Sequence, residues 1–468
     1  MSTQQILGTA PIPKLLFKYS LPAIIGMMVN GLYNVVDRMF IANIPDVGHL
    51  AITGLGVTMP IMTILLAFGM LIGVGSASNI SLKMGEGKPE EAQRILGNAI
   101  SLSVIAGGIL SVLGLIFVNQ ILTLFGASAD SLIYAKEYID IILLGAIFNI
   151  LGYACTCLIR SDGNPKLSAI IMGVGCGLNI ILDATFIFGF GFGIKGAAFA
   201  TIISQAVTAT WGLGYYISQK SNLTFNKSNL KLHKNLILSI IAIGMAPFSM
   251  QMAASGVQAI CNNSLRLYGG DLAIGAMSSI NSIIMMITMP ILGLSQGSQP
   301  IVGFNYGAKQ YDRSTTTLKL AMTCAITFLT FGTLIIQLFP EVIIGLFSGN
   351  NPELSTIAID GIQKYTLALP LIPISMLSSQ YMQAIGKAKI SLVLALLRQV
   401  IVLIPMLIIL PTFFGLNGVW YAQPISDITT AIVASIFTTA ELKKQKLAMQ
   451  QINTELESIN LETIAQEA

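Results

Sequence analysis

Asn179 and Asp183 lie one helical turn apart inside an apolar run, residues 167–190, that is long enough to cross a bilayer as a helix. At that spacing the amide and the carboxyl leave the helix on the same face. Acids inside a membrane are costly and mark paths for ions, protons or substrates. Two more oxygen-bearing side chains belong at the same level. Asp37 and Asp183 are each about five to seven residues from the outer ends of their runs, and Thr201 is about seven from the outer start of the next, so a rise of about 1.5 Å per residue aligns all three. The expected constellation is therefore a carboxylate, a carboxylate with an amide, and a hydroxyl, from three helices, aimed at one point in the outer half of the bilayer.

The elements that must hold these groups are membrane helices. The 468 residues are 54% hydrophobic and 10% charged, against about 25% charged in soluble domains. Twelve apolar runs follow one another. The net charge of +4 says little, but the placement of lysine and arginine is lopsided: nineteen lie on the N-terminal arm, the even-numbered connections and the tail, and five near helix ends on the other side. That asymmetry places both termini in the cytoplasm of a multi-pass plasma (inner) membrane protein. No cleavable signal peptide is expected, because the start is polar and the first run is of full spanning length. All five cysteines fall within or near the runs and read as buried thiols, and the two histidines, His49 and His233, fall on opposite sides, so no zinc site is expected.

The chain repeats itself at an offset of 222 residues. Gly193-Ile194-Lys195-Gly196 returns as Gly415-Leu416-Asn417-Gly418, and Leu50-Ala51-Ile52 as Leu272-Ala273-Ile274. The expected architecture is all-α, with twelve transmembrane helices in two six-helix lobes related by a pseudo-two-fold axis along the membrane normal. The boundaries are an N-lobe at 1–217, a cytoplasmic linker at 218–235, a C-lobe at 236–441 and a cytoplasmic tail at 442–468. The first helix of each lobe bears a polar stripe: Gly26, Asn30, Tyr33 and Asp37, then Gln251, Ser255, Gln258 and Asn262. Lipid would penalise such a face. It belongs either in an aqueous cavity between the halves, the reading preferred here, or in interhelical hydrogen bonds. Asn34 beside the first stripe, and Met285 and Met289 on one face of helix eight, are further candidates for a cargo cavity, core packing being the alternative for the methionines. The acids do not repeat: Asp37 maps to Asn262, and Asn179 and Asp183 map to Ile401 and Pro405.

Leu32-Tyr33-Asn34-Val35-Val36-Asp37, Met84-Gly85-Glu86-Gly87-Lys88, Arg160-Ser161-Asp162-Gly163-Asn164-Pro165-Lys166 and the segment from Asp183 to Ala198 resemble the multidrug and toxic compound extrusion (MATE) transporters, and among bacterial members a MepA-like group. The resemblance covers residues 13–441. It implies an antiporter exporting amphipathic, mainly cationic compounds against inward protons or sodium ions. It further implies an N-lobe cation site made by Asp37, Asn179, Asp183, Thr201 and the carbonyl of Ala197. Relatives that place acids in helices seven and eight differ from this chain, which has Gln258 and Asn262 in helix seven and no acid in helix eight.

Other strings carry less. Gly191-Phe192-Gly193-Ile194-Lys195-Gly196 matches a dinucleotide fingerprint but no strand precedes it, and Gly293-Leu294-Ser295-Gln296-Gly297 matches a hydrolase elbow with no histidine in reach. Arg398 and Asp427 sit at similar depth in consecutive helices and read as a structural ion pair, with a substrate contact as the alternative. The expectation is a transporter and not an enzyme, with no cofactor beyond H+ or Na+. Its expected partners are small amphipathic cations and the bilayer, with no nucleic acid, and the chain is expected to be monomeric. The competing function is a flippase for a lipid-linked precursor. Its anionic pyrophosphate would call for a cavity lined by Arg or Lys.

Overall fold

The computed structural model describes residues 3–44, 48–127, 129–218, 221–345 and 352–467. Residues 219 and 220 of the expected linker lie outside these. Among the described residues, eight helices are long and apolar enough to cross a membrane: Ile12–Ala42, Thr53–Gly85, Pro89–Ile116, Pro165–Gly189, Lys234–Gly307, Tyr311–Leu338, Ala388–Phe414 and Leu416–Gln451. A ninth span is the pair Ser131–Leu144 and Ala146–Ser161, bent by 57°. The helix Lys234–Gly307 turns back at Gly270 (φ 68°) and so supplies two spans. Gly193–Ile217 and the pair Pro352–Tyr365 and Ile372–Ala384 complete twelve, numbered one to twelve in chain order. Gly193–Ile217 is less apolar because it spends Thr201, Ser204, Gln205 and Thr208 on the protein interior. With an even number of spans, both chain ends lie on one side, called the terminal side below.

The repeat seen in the sequence is a repeat of backbone shape. Gly193 and Gly415, at the 222-residue offset, enter their connections at φ 56° and 57°, and Gly87 and Lys309 at 71° and 57°. Lys309 is the only described non-glycine residue with positive φ. A side chain there costs energy that glycine avoids, so the turn is imposed by the lobe plan and not chosen by Lys309. Spans open with proline where the unbonded N–H groups of a first turn make it harmless: Pro89 and Pro165 do this, the latter behind Asn164, whose Oδ1 accepts from Leu167 N–H at 3.2 Å.

The structure breaks two runs that the sequence shows as continuous. Span four bends after Leu144, at Gly145, whose missing side chain leaves room for Ile202 of span six. Span ten is interrupted at a short 3-10 turn, Leu369–Leu371, where Pro370 cannot continue the ladder. Two π-helical segments, Thr185–Gly189 and Leu397–Leu403, follow Asp183 and contain Arg398. Such bulges concentrate at functional sites.

The lobes meet on the terminal side. Gly85 packs on the carbonyl of Phe304 and Gly307 on that of Leu82, a reciprocal contact in which each residue is the 222-offset mate of its opposite number. Gln299 Nε2 donates to Ser78 Oγ (2.5 Å), Arg160 Nη1 to Gln296 Oε1 (2.6 Å) and Ser239 Oγ to Asn79 Oδ1 (2.8 Å), closing the seam. One hydrophobic cluster, including Leu16, Tyr19, Ile80, Ile301 and Phe304, runs through both lobes here. The linker is fixed to span three: Asn98, fully buried, bonds Lys231 O (3.2 Å) and accepts from His233 N–H (2.8 Å), and Ser101 Oγ donates to Leu230 O (2.8 Å). The last helix continues from Leu416 to Glu467, so the described tail is helical.

Candidate functional site

Span one brings Asp37, span five Asn179 and Asp183, and span six Ala197 and Thr201 into one buried cluster inside the first lobe. Asp183 and Ala197 are fully buried, and Asp37, Asn179 and Thr201 nearly so. The Asp37 and Asp183 carboxyls lie close enough that a proton on one is hydrogen-bonded by the other. Each keeps one oxygen, Oδ1, buried with no donor among the described residues. Orphaned buried acceptors are rare because each costs free energy. A proton or a hard cation would satisfy both, and carboxylate, amide, hydroxyl and carbonyl oxygens suit such an ion.

The Asn179 amide nitrogen donates to Asp183 Oδ2 at 2.8 Å and its oxygen accepts from Thr201 N–H at 3.1 Å, the orientation that satisfies both ends of the amide. One amide thus joins span five to span six at the acidic cluster.

Two tyrosines complete the cluster. Tyr33 and Tyr138 lie beside Thr201 and the two acids. Tyr138 is a residue that the sequence reading missed, since its helix also carries Tyr134, Lys136, Glu137 and Asp140, among which one more hydroxyl is inconspicuous.

Beside the cluster lies a cavity of about 180 Å³, within the first lobe and not between the lobes. Its walls include Asn30, Tyr33, Asn179, Thr201, Ser204 and Gln205. Ser204 Oγ and Gln205 Oε1 have no hydrogen-bond partner among the described residues. The cavity shares Tyr33, Asn179 and Thr201 with the acidic cluster.

The remaining expected cavity residues lie outside that cavity, on spans one, seven and eight. Asn34 is exposed and bonds back to Asn30 O (2.7 Å). Ser255 and Gln258 are exposed, Gln251 and Asn262 half-buried, and Gln258 donates to Asn262 (2.9 Å). Met285 is exposed, while Met289 packs on Gly31 of span one and so bridges the lobes. The lobes thus touch at the terminal side and again where Met289 meets Gly31. The Arg398–Asp427 pair forms at 2.9 Å in the second lobe, separate from the acidic cluster.

Two pseudo-symmetric lobes of membrane helices, each with its own buried polar centre, are the architecture of a membrane transporter. The MatE family model matches residues 22–185 and 237–409, and the chain belongs to that family, the multidrug and toxic compound extrusion family. It is 29% identical over 421 residues to the multidrug export protein MepA of Staphylococcus haemolyticus (strain JCSC1435), covering 90% of this chain and 92% of that one. It is 28% identical over 430 residues to MepA of Staphylococcus aureus (strain NCTC 8325 / PS 47), covering 91% and 93%. Among solved structures, an outward-facing multidrug resistance MATE family transporter of the MOP superfamily superposes with a TM-score of 0.89 at 25% identity, covering 95% of this chain and 99% of that one. A MATE structure in the bent conformation superposes equally well, TM-score 0.89 at 24% identity, covering 96% and 99%.

Proposed function

We propose that this chain is a cation-coupled antiporter of the plasma membrane, monomeric and with both termini in the cytoplasm, that exports amphipathic, mainly cationic compounds. The observation that carries the reading is the sharing of Tyr33, Asn179 and Thr201 between the acidic cluster and the first-lobe cavity. A proton or Na+ arriving at Asp37 and Asp183 satisfies their orphaned oxygens and competes with the bond that Asp183 takes from the Asn179 amide, which is also cavity wall. Cargo and ion then bind interdependently, as coupling requires. With the terminal side cytoplasmic, the closed seam makes this an outward-opening arrangement that receives the ion from outside and releases cargo there. The names of the MepA relatives support multidrug cargo.

A lipid-precursor flippase is the competing reading. A pyrophosphate headgroup needs several fixed cations, and Arg398 is the single basic residue deep within a span. The test is efflux of several unrelated lipophilic cation dyes from proteoliposomes under separately imposed pH and Na+ gradients. Gradient-driven movement of more than one dye supports the exporter. Movement of an anionic lipid precursor alone overturns it.

A further inference from the structure

We propose that the second lobe holds a subsite for the anionic group of a zwitterionic cargo, built on the free edge of the Arg398 guanidinium. This rests on the exporter reading and adds a cargo class to it. Arg398 donates from Nε to Asp427 Oδ1 at 2.9 Å. A guanidinium has five N–H donors, and neither Nη1 nor Nη2 has an acceptor among the described residues. Asp427 is different. Its side chain is 1% exposed, both of its oxygens also accept from Gln423 Nε2 (3.1 and 3.2 Å), and Tyr365 OH anchors Gln423 Oε1 at 3.2 Å. The anion of the pair is fully held, while the cation stays 22% exposed.

That exposure faces inward. Ser391, Leu394 and Leu403, on the Arg398 side of span eleven, are buried, whereas Val393, Val400 and Ile401, on the other faces, are exposed to the membrane. The 222-residue offset pairs Arg398 and its neighbours with the wall of the first-lobe cavity. Cys176, Thr201, Ser204 and Gln205 line the first-lobe cavity, and their mates are Arg398, Gln423, Ser426 and Asp427. The two lobes thus place opposite chemistry at equivalent positions: unpaired acceptors in the first, unpaired donors in the second. The π-helical segment Leu397–Leu403 turns the span locally at Arg398, as Thr185–Gly189 does just after Asp183.

The Arg398–Asp427 pair has no net charge, so attraction for an anion comes from directed donors. The planar fork suits a carboxylate, which it can hold by two parallel bonds. A cargo with one cationic and one carboxylate end would then be read at both lobes. Equilibrium binding to purified protein in micelles, with no ion gradient, isolates this from coupling. The probes are rhodamine 110, which carries a free carboxylate, and its methyl ester, rhodamine 123. The wild type is expected to bind the free acid more tightly by about tenfold, and R398Q/D427N, which removes the pair without stranding a charge, to lose the preference. R398K keeps the ion pair without the fork and gives the same reading should the double variant not fold. Equal or ester-favouring binding by the wild type overturns the proposal, as does a preference that survives either variant. Failure of both dyes to bind the wild type overturns the exporter reading and the subsite with it.

Discussion

Arg313 of span nine donates from Nη2 to the Leu7 carbonyl at 2.9 Å, tying the start of the first lobe's chain to the second lobe. The same Nη2 reaches Ala10 O at 2.7 Å, Arg313 Nε bonds Asn305 Oδ1 at 2.8 Å, and Asn305 Nδ2 bonds Leu7 O at 3.2 Å. The short helix Thr3–Thr9 is therefore a strap laid across the seam on the terminal side.

If the strap holds the seam shut, R313Q should loosen it. Ser20 is a suitable reporter, being 3% exposed and packed on Gly297. In a background lacking the five native cysteines, Ser20→Cys should react with maleimide on the order of tenfold faster when combined with R313Q, the shift expected from losing about 1.4 kcal/mol of closing free energy. Unchanged reactivity would show that other contacts suffice.

The reciprocal Gly85–Phe304 and Gly307–Leu82 contacts make a second prediction. A methyl group at either glycine would overlap a backbone carbonyl of the opposite lobe, which cannot move as a flexible side chain can. G85A/G307A should fold, since neither glycine has positive φ, yet fail to close the terminal side. Spin labels at the exposed positions Glu90 and Asp312 should report a longer distance than in the wild type, and dye efflux should fall at least about tenfold. An unchanged distance distribution would refute the gate.

Much of this site was legible in the sequence, and the reason is electrostatic. A carboxylate in an apolar run is conspicuous, so Asp37, Asp183 and Thr201 could be aligned by depth and Asn179 by its one-turn spacing from Asp183, and the structure gathers them into one cluster. The first-lobe cavity was not legible. Ser204, Gln205 and Thr208 are small or neutral polar residues of a kind that routinely bonds its own helix, as Thr208 Oγ1 does to Ser204 O at 2.9 Å. The bend at Gly145 and the π segments were hidden for a different reason: they alter helix phase without altering composition. The strap was invisible because it depends on backbone carbonyls, which every residue has.

Asp162, in the turn between spans four and five, yields a pH prediction. It is 2% exposed, accepts from Tyr215 OH (2.6 Å) and Asn222 N–H (3.1 Å), and its carbonyl oxygen accepts from Asn222 Nδ2 (2.7 Å), holding the linker. Burial outweighs these bonds and pushes its pKa up to about 6 from 3.8. The folded state then binds the proton more tightly than the unfolded state. The resulting stability is fully present below 3.8 and is lost as pH rises through about 6. Thermal unfolding of the wild type should show a loss of about 1 kcal/mol between pH 5 and pH 7 that is absent in D162N. Parallel pH profiles for the two proteins would contradict the assignment.

The central claim is that ion energy enters at Asp37 and Asp183, and one measurement addresses it most directly. Proteoliposomes containing wild type, D183N or D37N/D183N would be loaded with a lipophilic cation dye, and efflux followed under an imposed pH or Na+ gradient. The substitutions keep side-chain shape and remove the ionisable groups. The wild type should move dye uphill with one of the two gradients. D183N should lose most of that drive and the double variant all of it, each as a folded protein whose remaining dye movement no longer responds to the ion. Full gradient-driven efflux by D37N/D183N would contradict the claim.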